Sequence, residues 1–145
     1  MIVYPYEEFE KDVKVLAKQI RNNFNPDAIV AVARGGMTLG HFLAMHINTR
    51  LIFTLNSIHY NDTAKLGHIE IFNIPELSKF DKVLIVDDII DSGETMQEIL
   101  RILKEKFPKI EFKVASLFYK DQALLEPEFK VKKTDEWIEF FWEKI

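Results

Sequence analysis

Asp87, Asp88, Asp91, Ser92, Gly93, Glu94 and Thr95 lie in one short stretch, and each has the means to hold part of a charged ligand. An apolar run, Leu84-Ile85-Val86, leads into the first two acids, and an amphipathic segment follows the Ser-Gly-x-Thr turn. This is the pattern of a strand that delivers carboxylates to its carboxyl end, with a helix starting just beyond. In open α/β sheets that edge is where ligands bind. The first amides of a helix are unpaired and the helix dipole adds positive potential, so the turn can hold an anion. Carboxylates suit hydroxyls or a hard cation such as Mg²⁺. Together they suit one ligand carrying a phosphate and either hydroxyls or Mg²⁺. A purely structural reading, a buried strand and a helix capped by Asp91 or Ser92, accounts for one cap and leaves the other acids without a task.

Arg34-Gly35-Gly36 follows the apolar run at 28–33. Paired glycines let backbone amides approach a ligand closely, and an arginine adds a fork of donors; a tight strand-to-helix turn is the plainer reading. The polar stretch 56–67 contains Ser57, Tyr60 and Lys65. Lys120 stands just past the apolar run at 112–118, and Trp137-Ile138-Glu139-Phe140-Phe141-Trp142-Glu143 comes near the end. An ammonium offers donors only. An indole either stacks on a planar ring or packs in a core.

The elements that must position these groups follow from periodicity. Phe9, Val13, Leu16, Ala17, Ile20 and Phe24 step by threes and fours, which predicts an amphipathic helix over 7–24; Asn25-Pro26 ends it. Residues 28–33 read as a buried strand, with a helix over about 38–47 after it. Residues 51–55 are a second strand, and 56–67, with no helical period, a loop. Ile69, Ile71 and Ile74 mark a short strand or arm. A central strand over 83–86 ends at the acid pair. A helix over 94–107, closed by Pro108, and a strand over 112–118 follow. Beyond Lys120 the chain is irregular, with short strands near 129–131 and 137–141. This alternation implies right-handed crossovers and a parallel sheet covered on both faces.

At 145 residues one domain is expected, large enough to bury about 68–70% of its unfolded surface. A net charge of −4 makes the chain a poor general binder of nucleic acid, so phosphate affinity must be local. The absence of cysteine excludes disulfides and fits a reducing compartment. The first dozen residues carry acids and no apolar core, unlike a signal peptide, and no apolar run approaches the ~20 residues of a membrane span. A cytoplasmic protein without membrane insertion is expected. The 12 phenylalanines serve a core first and a subunit interface second.

Leu84 to Met96 closely resembles the phosphoribosyl-pyrophosphate (PRPP) signature of type I phosphoribosyltransferases: three apolar residues, an acid and Asp, two more positions, then Asp, Ser/Thr, Gly, any residue, Thr and an aliphatic. Only Met96 departs, and it is apolar too. The resemblance implies a Rossmann-like core over about 28–118, a mobile loop at 56–67, and a hood formed by 119–145 with the N-terminal helix. It implies that Asp87 and Asp88 meet the ribose hydroxyls and Mg²⁺. Ser92, Gly93, Glu94 and Thr95 then wrap the 5′-phosphate, Glu94 through its backbone. Arg34, Gly35 and Gly36 form the pyrophosphate loop, which in the family commonly holds a non-proline cis peptide at its first step. Lys65 covers the pyrophosphate or is simply solvated, and Asp91 serves as general acid/base at N7 of a purine or as a helix cap. The C-terminal part is similar to the base site of small xanthine–guanine enzymes: Lys120 donates to a 6-oxo group, Trp137 stacks on the ring, and Ile138 offers its carbonyl. Phe141 stands where that segment usually has proline. The resemblance further implies a homo-oligomer, dimer or tetramer, acting on PRPP and a purine base.

Rival readings fare worse on the residues. A receiver domain also opens on Leu-Ile-Val-Asp-Asp, but too little chain follows Asp88 to hold the rest of its sheet. Gly35 and Gly40 have the spacing of a P-loop, yet His41 and Phe42 replace Lys and Ser/Thr. A PRPP- or nucleotide-sensing regulator of the same fold would carry a basic face. A transferase for a pyrimidine or adenine would have no use for Lys120 beside Trp137.

Overall fold

The computed structural model describes residues 1–60 and 68–145. The chain runs β1 (Ile2–Tyr4), α1 (Tyr6–Asn23), β2 (Ala28–Ala33), α2 (Gly36–His46), β3 (Ile52–Tyr60), β4 (His68–Phe72), β5 (Lys82–Ile90), α3 (Glu94–Lys106), β6 (Glu111–Tyr119), β7 (Phe129–Lys133), β8 (Ile138–Phe140) and a 3₁₀ turn over Phe141–Glu143. Six strands form one sheet in the order β4-β3-β2-β5-β6-β7. Its neighbours are parallel except β3 and β4, which pair antiparallel at one edge.

The central strands are apolar throughout because both of their faces are covered. Ile29, Leu84, Val86, Ala115 and Leu117 point to the layer built with α1 and α2. Val30, Val32, Val83, Ile85 and Val114 point to the layer holding Met96, Ile99 and Leu103 of α3. The period of two along each strand thus serves two cores at once.

Several expectations need correcting. Residues 56–60 are not loop: β3 continues to Tyr60, with Tyr60 opposite His68 and Ser57 opposite Ile71. Polar side chains suit an edge hairpin that is wet on one side, so polarity alone did not mark a loop. Lys65 and the rest of the expected loop lie outside the described residues. The strand carrying the acid pair does not end there either. Pairing of β5 with β2 stops at Ala31–Val86, while pairing with β6 runs on to Ile90–Tyr119. Asp87 and Asp88 are therefore held on one side only, and the other side opens. Helix α2 starts at Gly36, two residues earlier than periodicity suggested. Strand β1 was not foreseen. It pairs in parallel with β8, Ile2 opposite Ile138 and Tyr4 opposite Phe140.

Candidate active site

The acid pair sits at the open flank of β5. Both side chains are half-buried, with the Asp88 amide donating to Asp87 Oδ1 at 2.9 Å and the Ile89 amide to Asp88 Oδ1 at 2.8 Å. Burial pushes the Asp87 carboxyl well up, and the Asp88 charge adds to it; burial likewise raises Asp88, with Glu143 contributing. Two acids held against their preference in this way favour a cation.

Against them lies the Arg34-Gly35-Gly36 turn. The Ala33–Arg34 peptide is cis. A Cβ on Gly35 would stand 2.5 Å from an Asp88 carboxylate oxygen, and one on Gly36 would overlap the Val86 carbonyl. Only glycine lets the β2–α2 turn approach β5 this closely. Arg34 is exposed, and its carbonyl accepts the Met37 amide at 3.0 Å.

The turn into α3 is built on Gly93, whose φ of 86° is the left-handed conformation glycine tolerates. Neither Asp91 nor Ser92 is the helix cap of the purely structural reading. Gly93 is the N-cap and makes no side-chain cap bond, while Ser92 Oγ accepts the Glu94 amide at 3.2 Å. The Leu124 amide donates to Ser92 O at 2.8 Å, bracing the turn from the segment after β6. Ser92 and Glu94 are exposed and Thr95 is half-buried at the mouth of this turn.

Asp91 points instead to Lys120: Oδ1 and Nζ are 2.6 Å apart. This pair is the shared wall of two recesses. The smaller, about 270 Å³, is lined by Asp88, Ile89, Asp91, Lys120, Glu136, Trp137, Ile138, Phe140 and Glu143. The larger, about 690 Å³, lies beside Ser92, Asp121, Gln122, Lys133, Thr134 and Asp135. Trp137 is 70% exposed, which excludes the core-packing reading, whereas Ile138 beside it is buried. The structure thus gathers every predicted site residue except Lys65, with Arg34 at the rim. Sequence reasoning missed Glu136 and Glu143, which line the smaller recess.

Two carboxylates fit Mg²⁺, which keeps waters and takes further oxygens from phosphate. Among the described residues no cluster of three or more His, Cys, Asp or Glu could hold a metal unaided.

A mostly parallel sheet that carries acids, a glycine turn and a helix N-terminus along its carboxyl edge is the architecture of a phosphoribosyltransferase. The chain belongs to that family: the phosphoribosyl transferase domain model matches residues 3–144. It is therefore an enzyme of the transferase class. The xanthine–guanine–hypoxanthine phosphoribosyltransferase of Helicobacter pylori superposes with a TM-score of 0.91 at 41% identity, covering 98% of this chain and 93% of that one. A purine phosphoribosyltransferase from Pyrococcus horikoshii gives 0.85 at 26% identity, covering 99% and 94%. The xanthine-guanine phosphoribosyltransferase of a Ruegeria species is 29% identical over 95% of this chain and 82% of its own length.

Proposed function

We propose that the protein transfers the 5-phosphoribosyl group of PRPP to a 6-oxopurine, releasing pyrophosphate. The observation that carries this reading is the Asp91–Lys120 pair, 2.6 Å apart, beside the exposed Trp137. A 6-oxopurine offers O6, an acceptor, next to N7–H, a donor. Lys120 supplies donors and Asp91 an acceptor, side by side. A 6-aminopurine would turn a donor towards Lys120 and leave a buried group unpaired, which is costly.

The remaining roles follow. The amides and hydroxyls of Ser92, Gly93, Glu94 and Thr95 hold the 5′-phosphate. Asp87 and Asp88 meet the ribose hydroxyls and hold Mg²⁺, which when bound neutralises charge on the leaving pyrophosphate. Arg34, Gly35 and Gly36 hold that pyrophosphate, with Lys65 over it. Trp137 stacks on the base and the Ile138 carbonyl meets its edge. As the bond from C1′ to the pyrophosphate oxygen opens, N9 of the base bonds to C1′ and Asp91 takes the N7 proton. Confining an oxocarbenium-like centre between the two ends excludes water from it.

Met37 and Met45 of α2, two helical turns apart and 47% and 69% exposed, support a homo-oligomer. No helix among the described residues is long and apolar enough to cross a membrane, which fits a cytoplasmic salvage enzyme.

The test is purified protein with PRPP and Mg²⁺, offered guanine, xanthine, hypoxanthine, adenine or uracil, with pyrophosphate release as readout. Release with the 6-oxopurines alone is expected. Release with adenine or uracil at equal rate overturns the base assignment, and release with none overturns transfer itself.

A further inference from the structure

Tyr4, packed against Phe140 of the smaller recess, bonds a buried carboxylate. Asp12 of α1 is 8% exposed. It accepts the Tyr4 hydroxyl at 2.6 Å, and Lys132 Nζ stands 3.2 Å from the same oxygen. Lys132 also pairs with Glu8 and lies over the Tyr4 ring, 5.6 Å from its centroid. Tyr4 is wholly buried, edge-on to Phe118 and Phe140. Burial, with the Asp12 carboxylate beside it, keeps that hydroxyl protonated, so it remains a donor.

The cluster joins three elements that the base end depends on. Strand β7, which carries Lys132, is fixed in the main sheet, with Lys132 opposite Phe118. Helix α1 is tied to β7 a second time, because Gln19 bonds both the Lys130 carbonyl, at 3.1 Å, and its amide, at 3.3 Å. Strand β1, which carries Tyr4, has no place in that sheet. It pairs only with β8, and its Ile2 amide donates to the Trp137 carbonyl at 2.9 Å. The chain segment bearing Trp137 and Ile138 is therefore held by a two-stranded ribbon, and Tyr4 is that ribbon's polar anchor to the core. Apolar packing of Tyr4 and Phe140 resists withdrawal but is indifferent to small slides. A hydrogen bond and an ion pair at set distances are not. Burying charges contributes little net stability compared with apolar side chains of like volume; what it adds here is direction.

We propose that Asp12 and Lys132 are positioning residues for the base site, acting through Tyr4 and β1 to set the register of Trp137 and Ile138 against the Asp91–Lys120 pair. This rests on the reading that Trp137 and Ile138 meet the base. The variants are Lys132→Met, which keeps the stem, Tyr4→Phe, which keeps the ring, and Lys132→Arg, which keeps the charge. KM is measured separately for guanine and for PRPP. In Lys132→Met and Tyr4→Phe, KM for guanine should rise about three- to tenfold, the affinity equivalent of a lost hydrogen bond. KM for PRPP and kcat should stay within about twofold, and Lys132→Arg should restore the parent value. A parallel rise in both KM values marks general loosening and overturns the proposal, as does an unchanged KM for guanine. Trp137→Ala separates the two readings. If it leaves KM for guanine unaltered, the base-site assignment fails. If it raises that KM while Lys132→Met and Tyr4→Phe do not, only the positioning role fails.

Discussion

The two ends of this site are built in opposite ways. The proposed PRPP end comes mainly from contiguous chain: among the described residues Asp87 to Thr95 run from β5 into α3, and Arg34-Gly35-Gly36 joins them from the turn after the adjacent strand β2. Its geometry is enforced by backbone, through the two-sided burial of β5, the left-handed Gly93 and glycines with no room for a Cβ. The proposed base end is assembled from segments far apart in sequence. Lys120 follows β6, Trp137 precedes β8, and β8 is placed by β1 from the other terminus. Lys120 is half-buried and Trp137 exposed, and their alignment relies on side-chain anchors. One end can hold a ligand common to a whole reaction class, and the other can be retuned for different bases by changing a few contacts.

The largest expected effect tests whether the ends meet at Asp91. Asp91→Asn should lower turnover by about 10²–10⁴-fold, the span of a general acid/base, while PRPP affinity measured by titration calorimetry stays near the parent's. Unchanged turnover would confine Asp91 to pairing with Lys120.

Base choice comes next. Adenine should trail guanine by about two orders of magnitude or more in kcat/KM, because Lys120 has no acceptor to offer it. Lys120→Gln should narrow the gap, since an amide can donate or accept. Equal rates for both bases in the parent would break the distinction between a general and a selective end.

Trp137→Ala should cost about 1–3 kcal/mol in base binding, the size of base–aromatic stacking. Because Trp137 is exposed, thermal stability should hardly change. A large fall in Tm would mean that the hood depends on this ring for folding.

The smallest effect has the opposite sign at the PRPP end. Asp87 is raised by burial and by the charge of Asp88, so its ionised form destabilises the ligand-free fold. That penalty is absent below the ordinary Asp range near pH 4, grows as pH rises towards the folded value, and is complete above it. Asp87→Asn keeps the oxygen that accepts the Asp88 amide. It should raise Tm of the metal-free protein by about 1–3 °C at neutral pH, show no gain below about pH 4, and weaken Mg·PRPP binding. A lower Tm at neutral pH, or undiminished Mg·PRPP binding, would place Asp87 in the scaffold instead.

What could be read from residues alone was whatever depends on short range. Leu84 to Thr95 disclosed a strand, a glycine turn and a helix because polar identity and periodicity change within a few positions, and the same logic found α1, β2 and α3. It faltered where local cues are ambiguous. The polar stretch 56–60 read as loop because an edge hairpin needs no apolar alternation on its wet side. Ile2–Tyr4 is too short to announce a strand, since its hydrogen-bond partner lies at the opposite end of the chain. Three-dimensional packing decided that Asp91 pairs with Lys120 rather than capping α3, that Glu136 and Glu143 line the smaller recess, and that Asp12, Tyr4 and Lys132 close on one another. Each of these joins side chains on different elements, and the distance between elements is set by the summed packing of the whole core, which no local pattern encodes.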